Sequence, residues 1–185
     1  MLPISVCMIV KNEEKNIENC FQRLSRHPFE IVVVDTGSTD KTKELVKKYA
    51  DKLLDFLWCD DFSKARNFSI SQASNDWVLI IDCDEFVEEL DFTAIQKLMA
   101  EYPYAIGQLY RDNICYDKDH KPIHSYDYVE RLFDRRLYYY TGSIHEQVTS
   151  RDGSQLYGFE MPLTVTHTGY NGSEEELEAK AQRNI

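Results

Sequence analysis

No stretch of this chain comes near the roughly 20 consecutive apolar residues that a membrane-spanning helix needs. No signal-peptide pattern precedes Ile4. Cys-x-x-Cys pairs are missing too: Cys7, Cys20, Cys59, Cys83 and Cys115 are odd in number and widely spaced. That argues against a zinc site or a disulfide framework and for reduced thiols in a cytoplasmic protein. Positive charge is in short supply, with 21 Lys and Arg against 32 Asp and Glu and a net charge of -11. Such a surface repels nucleic acid and anionic membranes, so any anionic ligand must be held by local groups or by a metal ion. Neither G-x-G-x-x-G nor G-x-x-x-x-G-K-[ST] occurs, which argues against dinucleotide and P-loop chemistry. Internal repeats and low-complexity segments are absent as well.

The length of 185 residues suits one domain with a substantial core, and 43% hydrophobic with 29% charged residues is ordinary for a globular chain. Aromatics are plentiful, with 12 Tyr and 9 Phe. Most serve packing; an aromatic face also suits the C–H face of a pyranose, and composition does not choose between the two roles.

The first half alternates strand and helix patterns. The apolar run from Ile4 to Val10 reads as a strand. Ile17, Cys20, Phe21 and Leu24 recur at helical spacing within 16–24. Residues 30–35 form a second buried strand that ends in Asp35. Ser38, Thr39 or Asp40 can cap a following helix that carries Leu45, Val46 and Tyr49. A short strand over 53–58, a helix over 62–73 and a strand over 76–82 complete a β-α-β-α-β-α-β order, which implies parallel strands with right-handed crossovers. Beyond Glu85 a helix is expected over 92–101. Aromatic and β-branched runs follow, broken by turns at 117–122 and 151–153. The expected fold class is α/β, a doubly wound, mostly parallel sheet with a mixed, hairpin-rich second half. Residues 174–185 have a helical pattern that stops without a C-cap, so the chain is expected to end inside a larger protein.

The most informative feature is Asp82-Cys83-Asp84-Glu85, directly after the run Trp77-Val78-Leu79-Ile80-Ile81. A run this apolar reads as a strand buried on both faces. Carboxylates at its carboxyl end fall where open α/β sheets bind ligands. Two Asp separated by one residue can share a hard divalent cation that bridges to a diphosphate. Lys11-Asn12-Glu13 and Asp35 end neighbouring strands and open on the same crevice.

These segments resemble the family-2 glycosyltransferases of the GT-A fold. The resemblance lies in Ile4-Ser5-Val6-Cys7-Met8-Ile9-Val10-Lys11-Asn12-Glu13-Glu14, Val33-Val34-Asp35-Thr36-Gly37-Ser38-Thr39-Asp40-Lys41-Thr42, Ala65-Arg66-Asn67 and Asp82-Cys83-Asp84-Glu85. Later segments, Glu130-Arg131-Leu132-Phe133, Gly142-Ser143-Ile144-His145-Glu146 and His167-Thr168-Gly169-Tyr170, are similar to a subgroup often followed by tetratricopeptide-like repeats.

The resemblance implies metal-dependent, inverting transfer of a sugar from a nucleotide sugar, most simply a UDP-sugar. The acceptor is left open among glycan, lipid-linked and protein acceptors. Val10, Lys11, Asn12 and Glu13 would frame the base, largely through backbone groups, and Asp35 would accept from uracil N3–H. The alternative for Asp35 is a turn or capping carboxylate. Arg66 would lie near the diphosphate or hold the Asp-x-Asp loop, the alternative being a surface ion pair. Asp82 would meet the ribose and metal-bound water. Asp84 would ligate Mn²⁺ or Mg²⁺, with His167 as a further ligand or else a structural histidine. Glu146 would be the catalytic base. Many relatives use a Glu-Asp pair there; the second half has none, and Glu130 is the nearest acidic alternative. Residues 1–90 would form the nucleotide-binding half and 91–185 the acceptor-side half of a single domain.

Other readings compete. A nucleotidyltransferase generally needs a glycine-rich basic loop after strand one, where this chain has Lys11-Asn12-Glu13-Glu14. A receiver-like domain has no place for the long aromatic second half. A nucleotide-sugar-binding or scaffold module without turnover remains the alternative of a different class.

Overall fold

The computed structural model describes residues 3–168. The helix expected over 174–185, together with Gly169 and Tyr170, lies outside the described residues. In chain order the elements are β1 (Ile4–Val10), α1 (Ile17–Leu24), β2 (Glu30–Asp35), α2 (Thr42–Val46), β3 (Lys52–Asp55), α3 (Phe62–Ser71), β4 (Trp77–Ile80), β5 (Glu85–Leu90), α4 (Phe92–Glu101), β6 (Ile106–Tyr116), β7 (Pro122–Asp134), β8 (Tyr138–Thr141), β9 (Gln147–Ser150) and β10 (Gly158–His167). No described helix is long and apolar enough to cross a membrane. The cysteines are all free thiols.

Eight strands form one sheet in the order β3-β2-β1-β4-β7-β6-β10-β5, and β8 pairs with β9 in a separate ribbon. The first four strands are parallel, as the alternating pattern predicts. Their side chains divide by parity. Ile4, Val6, Met8 and Val10 of β1 pack on one face with Ile17 and Phe21 of α1, while Cys7 turns to the other face with Ile70 of α3. Trp77 and Leu79 of β4 follow the first set, and Val78 and Ile80 the second. Both faces are therefore covered, and this is why these strands read as unbroken apolar runs. The chain runs outward from β1 to β3 and returns to β4 on the opposite side of β1, which puts the topological switch point between β1 and β4.

The second half extends this sheet with mixed pairing. β7 runs antiparallel to both β4 and β6, β10 runs parallel to β6, and β5 closes the edge antiparallel to β10. The turn expected at 117–122 joins β6 to β7.

Several elements are shorter than their patterns suggest. α3 stops at Ser71 rather than residue 73: Ser69 and Ser71 hydroxyls donate back to the carbonyls of Arg66 and Phe68, and Lys52 Nζ takes the Gln72 carbonyl. α2 ends at Val46, and its entry is fixed by Asp40, whose Oδ1 accepts from Thr42 N at 2.9 Å. β3 begins at Lys52 and ends at Asp55, because the chain then leaves the sheet through a turn in which Asp60 takes φ 53° and receives Trp58 Nε1–H.

Glu30, at the start of β2, ties the lower edge together. Its carboxylate accepts from the Ser5 hydroxyl, from Ser74 N at 2.8 Å and Ser74 Oγ at 2.7 Å, and pairs with Lys52 Nζ at 2.9 Å. Burial opposes its ionisation, yet the donors from Ser5, Ser74 and Lys52 outweigh burial and bring its pKa from 4.5 to about 2. The folded value lies below the unfolded one. The resulting stability is present above pH 4.5 and is lost as the pH falls toward 2. Glu30→Gln is expected to cost about 3 kcal/mol at pH 7. The difference from the parent chain should shrink as both are acidified from pH 5, read by urea unfolding at each pH. A pH-independent difference would mean that Glu30 acts by packing alone.

Candidate active site

The loops after β1 and β2 interlock at the carboxyl edge of the sheet. Asn12 N donates to Ser38 Oγ at 2.9 Å, Glu13 N to Thr42 Oγ1 at 2.7 Å, and Thr39 N returns to Asn12 Oδ1 at 2.8 Å. The Val10 carbonyl accepts both Thr36 N and Thr36 Oγ1. The backbone N–H groups of Asn12 and Glu13 are thus already engaged within the protein. Asn12 sits at φ 56°, a left-handed position that Asn tolerates better than most residues.

Asp35 ends β2 and is buried. Its Oδ1 accepts from both Gly37 N and Ser38 N at 2.9 Å, a turn that Gly37 permits by taking φ 106°. Its Oδ2 is buried and has no hydrogen-bond partner in the described structure. A buried carboxylate oxygen without a donor is costly, so this atom is a ready acceptor for a ligand N–H.

The two carboxylates of Asp82-Cys83-Asp84 part company. Asp82 turns inward to Arg66, whose Nη1 and Nη2 donate to its two oxygens at 2.9 and 3.1 Å. Arg131 Nη2 adds a bond to Asp82 Oδ2 at 3.1 Å and another to Glu85 Oε1 at 2.8 Å. Arg66 and Arg131 are both buried, so neither forms an ordinary surface ion pair. Burial works against the charge on Asp82, but the two guanidiniums outweigh it and hold the carboxyl well below the usual carboxylate range. The same pairing raises Arg66 and Arg131 despite their burial.

Arg131 reaches this position through an irregularity in β7. Gly107 of β6 pairs with Leu132 and Gln108 with Glu130, which leaves Arg131 without a partner in the ladder. A bulge of this kind re-aims one side chain, here into the crevice beside β4. Glu85, also buried, links the cluster together. Its Oε2 accepts Asp82 N at 3.0 Å, and its Oε1 also receives Arg111 Nη1 at 3.3 Å. Arg111 in turn grips Asp127 through Nε and Nη2 at 3.0 and 2.6 Å.

Asp84 faces the end of β10. Its Oδ2 lies 3.5 Å from His167 Nε2, and its carbonyl accepts Thr168 N at 3.0 Å. The imidazole is oriented from behind. Asn113 Nδ2 donates to the Ser125 carbonyl and to Asp127 Oδ1, so Asn113 Oδ1 is the atom 2.8 Å from His167 Nδ1. An amide oxygen only accepts, so Nδ1 carries the hydrogen, and in the neutral ring Nε2 presents its lone pair to Asp84. Two acceptors this close repel unless a proton or a cation lies between them. An imidazole pinned by its other nitrogen, beside a carboxylate, is the donor arrangement that a divalent ion fits. Among the described residues no three His, Cys, Asp or Glu side chains form a metal-binding group by themselves.

Glu146 lies in the loop between β8 and β9, where Gly142 at φ 98° and His145 at φ 54° bend the chain. The Ser143 carbonyl accepts Phe62 N and fixes this loop on the start of α3. Arg66 Nε donates to Glu146 Oε1 at 2.5 Å. Arg66 therefore bridges Asp82 on the strand side to Glu146 on the loop side, and its guanidinium also lies 5.7 Å from the Tyr140 ring centroid. His145 is exposed.

Sequence reasoning missed Glu85, Arg111, Asn113 and Arg131 as members of the cluster. Glu85 adjoins the Asp-x-Asp motif, and Arg131 lies inside the quoted Glu130-Arg131-Leu132-Phe133 segment, so both had a local signal. Arg111 and Asn113 had none beyond charge or polarity within an aromatic strand.

Comparison with known proteins adds an independent line. The sequence profile described as Glycosyl transferase family 2 matches residues 5–154. The SPbeta prophage-derived glycosyltransferase SunS of Bacillus subtilis is 30% identical over 201 residues, covering 99% of this chain and 44% of SunS. The TPR repeat-containing protein Synpcc7942_0270 of Synechococcus elongatus is 41% identical over 85 residues, 46% of this chain and 21% of that protein. The chain thus spans less than half the length of these curated relatives. Among solved structures, S. aureus TarS 1-349 in complex with UDP-GlcNAc superposes with a TM-score of 0.66 at 16% identity, over 95% of this chain and 61% of TarS 1-349.

Proposed function

The chain belongs to glycosyl transferase family 2 and has the GT-A fold, and from that premise we propose that it transfers a sugar from a nucleotide-sugar donor to an acceptor with inversion at the anomeric carbon. The observation that carries the proposal is the meeting of Asp84 with an Asn113-pinned His167 beside the switch point of the sheet. Ligands of α/β sheets bind at such switch points.

In this proposal Asp35 Oδ2 accepts the N3–H of uracil, which favours a UDP-linked donor. Val10, Lys11, Asn12 and Glu13 frame the base by shape, since the N–H groups of Asn12 and Glu13 are spent on the neighbouring loop. Asp84 and His167 hold Mn²⁺ or Mg²⁺, and the imidazole ligand favours Mn²⁺. The bound ion would supply Lewis-acid neutralisation of the charge that builds on the leaving nucleoside diphosphate. Arg66 and Arg131 keep Asp82 ionised and its loop in register, with Asp82 facing the ribose side. Glu146 removes the proton of the acceptor as it attacks from the face opposite the leaving group. Residues 1–90 carry the base and ribose contacts and Asp84, while 91–185 serve the acceptor, whether a glycan, a lipid-linked sugar or a protein side chain, and also bring Arg131 and His167 to the donor side.

The test is a thermal-shift titration with UDP, GDP, CDP and dTDP, each with and without Mn²⁺. UDP with Mn²⁺ at about 100 times its Kd is expected to raise Tm by about 5–10 °C. The Mn²⁺-dependent part should disappear in Asp84→Ala. A larger shift with another nucleotide would reassign the donor base. No shift with any of them, in a protein that melts cooperatively, would overturn the donor site. A shift without turnover would point to a nucleotide-sugar-binding module.

A further inference from the structure

Away from the crevice, Asn67, Ile70 and Ser71 of α3, Arg135 of the turn before β8 and Arg151 directly after β9 line an open cavity of about 200 Å³. Two of these side chains are cations, in a protein with 32 acidic against 21 basic residues. Such a composition surrounds most guanidiniums with carboxylates. Arg136, next in the chain to Arg135, pairs with Asp134 Oδ2 at 2.6 Å and Asp76 Oδ2 at 3.0 Å. Arg135 and Arg151 have no carboxylate within 4.0 Å among the described residues.

Their hydrogen-bonding capacity is also largely unused. The Arg135 side chain makes one long bond, Nη1 to the Ile70 carbonyl at 3.5 Å, and its Nε is buried without a partner. Arg151 donates Nε–H to the Arg135 carbonyl at 3.3 Å, and its guanidinium lies over the Tyr139 ring at 5.1 Å. The aromatic face holds the fork in place without neutralising it. The walls are fixed by Asn67, which donates to the Tyr140 carbonyl at 2.8 Å and accepts Tyr140 N at 2.9 Å, locking α3 to β8. Two like charges on one small cavity repel each other. An oxyanion between them would remove the repulsion and supply acceptors for the idle donors.

We propose that this cavity is a binding site for a tetrahedral oxyanion of the phosphate class, held by Arg135 and Arg151. The site is separate from Asp35, Asp82, Asp84, Glu146 and His167, and its existence does not depend on the transferase reading. Its occupant is either free phosphate or the phosphate of a lipid headgroup, which share the same recognition chemistry. A bound anion would join α3, which carries Arg66, to the ribbon whose far loop carries Glu146.

Calorimetric titration of the chain with inorganic phosphate, against chloride at matched ionic strength, tests the proposal. A second arm measures co-sedimentation with phosphatidylglycerol vesicles against phosphatidylcholine vesicles. Saturable phosphate binding that Arg151→Gln weakens by at least about tenfold is the expected result. Arg151 is exposed, so this variant should melt like the parent in chloride and keep the shift with UDP and Mn²⁺. Arg135→Gln should weaken phosphate in the same way. Sedimentation with phosphatidylglycerol that Arg151→Gln removes, without a response to phosphate alone, would identify the lipid as the source and uphold the site. Binding of neither probe, or binding that Arg151→Gln leaves unchanged, would overturn it.

Discussion

With Glu146 in its proposed role as base, Glu146→Gln is expected to slow nucleotide release from the preferred nucleotide-sugar donor about 10²–10⁴-fold, the range that a positioned general base contributes. The donor shift in Tm should be kept. The geometry explains why the two effects separate. Glutamine retains an oxygen for Arg66 Nε, which now donates to Glu146 Oε1 at 2.5 Å, so the bridge to Asp82 and the fold should persist. What is lost is the carboxylate that, in the proposed role, would take a proton from the attacking hydroxyl. Steady-state kinetics on the variant, with donor binding measured in parallel, provide the readout. Full activity with intact donor binding would make Glu146 only the partner of Arg66. A loss of donor binding would mean that the Arg66 bridge holds the donor side.

Arg131→Met is expected to destabilise the protein by about 3–5 kcal/mol at pH 7, because it strands buried carboxylates rather than removing a balanced pair. Glu85 would lose its 2.8 Å bond and Asp82 one of its guanidinium partners. Adding Glu85→Gln should recover part of the loss, and the double-variant cycle should show coupling above about 0.5 kcal/mol. Acid should narrow the gap between variant and parent. The Asp82 carboxyl is held low by Arg66 and Arg131 against the effect of burial, so the parent loses that contribution as the pH falls below the unfolded carboxylate range. The variant has less of it to lose. Urea unfolding of the four proteins of the cycle at pH 7 and in acid decides the matter. A single-variant loss under about 1 kcal/mol would place the Arg131 interaction in the range of exposed pairs.

How much of this was legible beforehand depended on sequence distance. The parallel half could be read directly, since strands covered on both faces must be apolar along their length, as Ile4–Val10 and Trp77–Ile80 are. The amphipathic face of α1 was legible in the same way, with Ile17, Cys20, Phe21 and Leu24 all buried. Asp35, Asp82 and Asp84 stood out because each follows such a run. The mixed half was harder to read. Its strands alternate between a covered face and an exposed one, and β6 and β7 carry tyrosines such as Tyr116, Tyr126 and Tyr128 in the open. Nothing local says that β10 will insert between β6 and β5.

The sequence by itself determined the strand-helix alternation, the carboxylates at the strand ends and the absence of a glycine-rich phosphate loop. Each of these follows from local composition and from period. Tertiary structure alone decided how the charges are shared. Arg66 and Glu146 are 80 positions apart, and Arg131 and Asp82 are 49 apart. Only the crossing of α3, the irregular pairing of β7 and the β8–β9 loop bring them together. The division of Asp82-Cys83-Asp84 into one carboxylate bound to arginines and another facing His167 has the same cause. Neighbouring residues leave a strand end in different directions, and each charge settles on the partner that distant segments bring within reach.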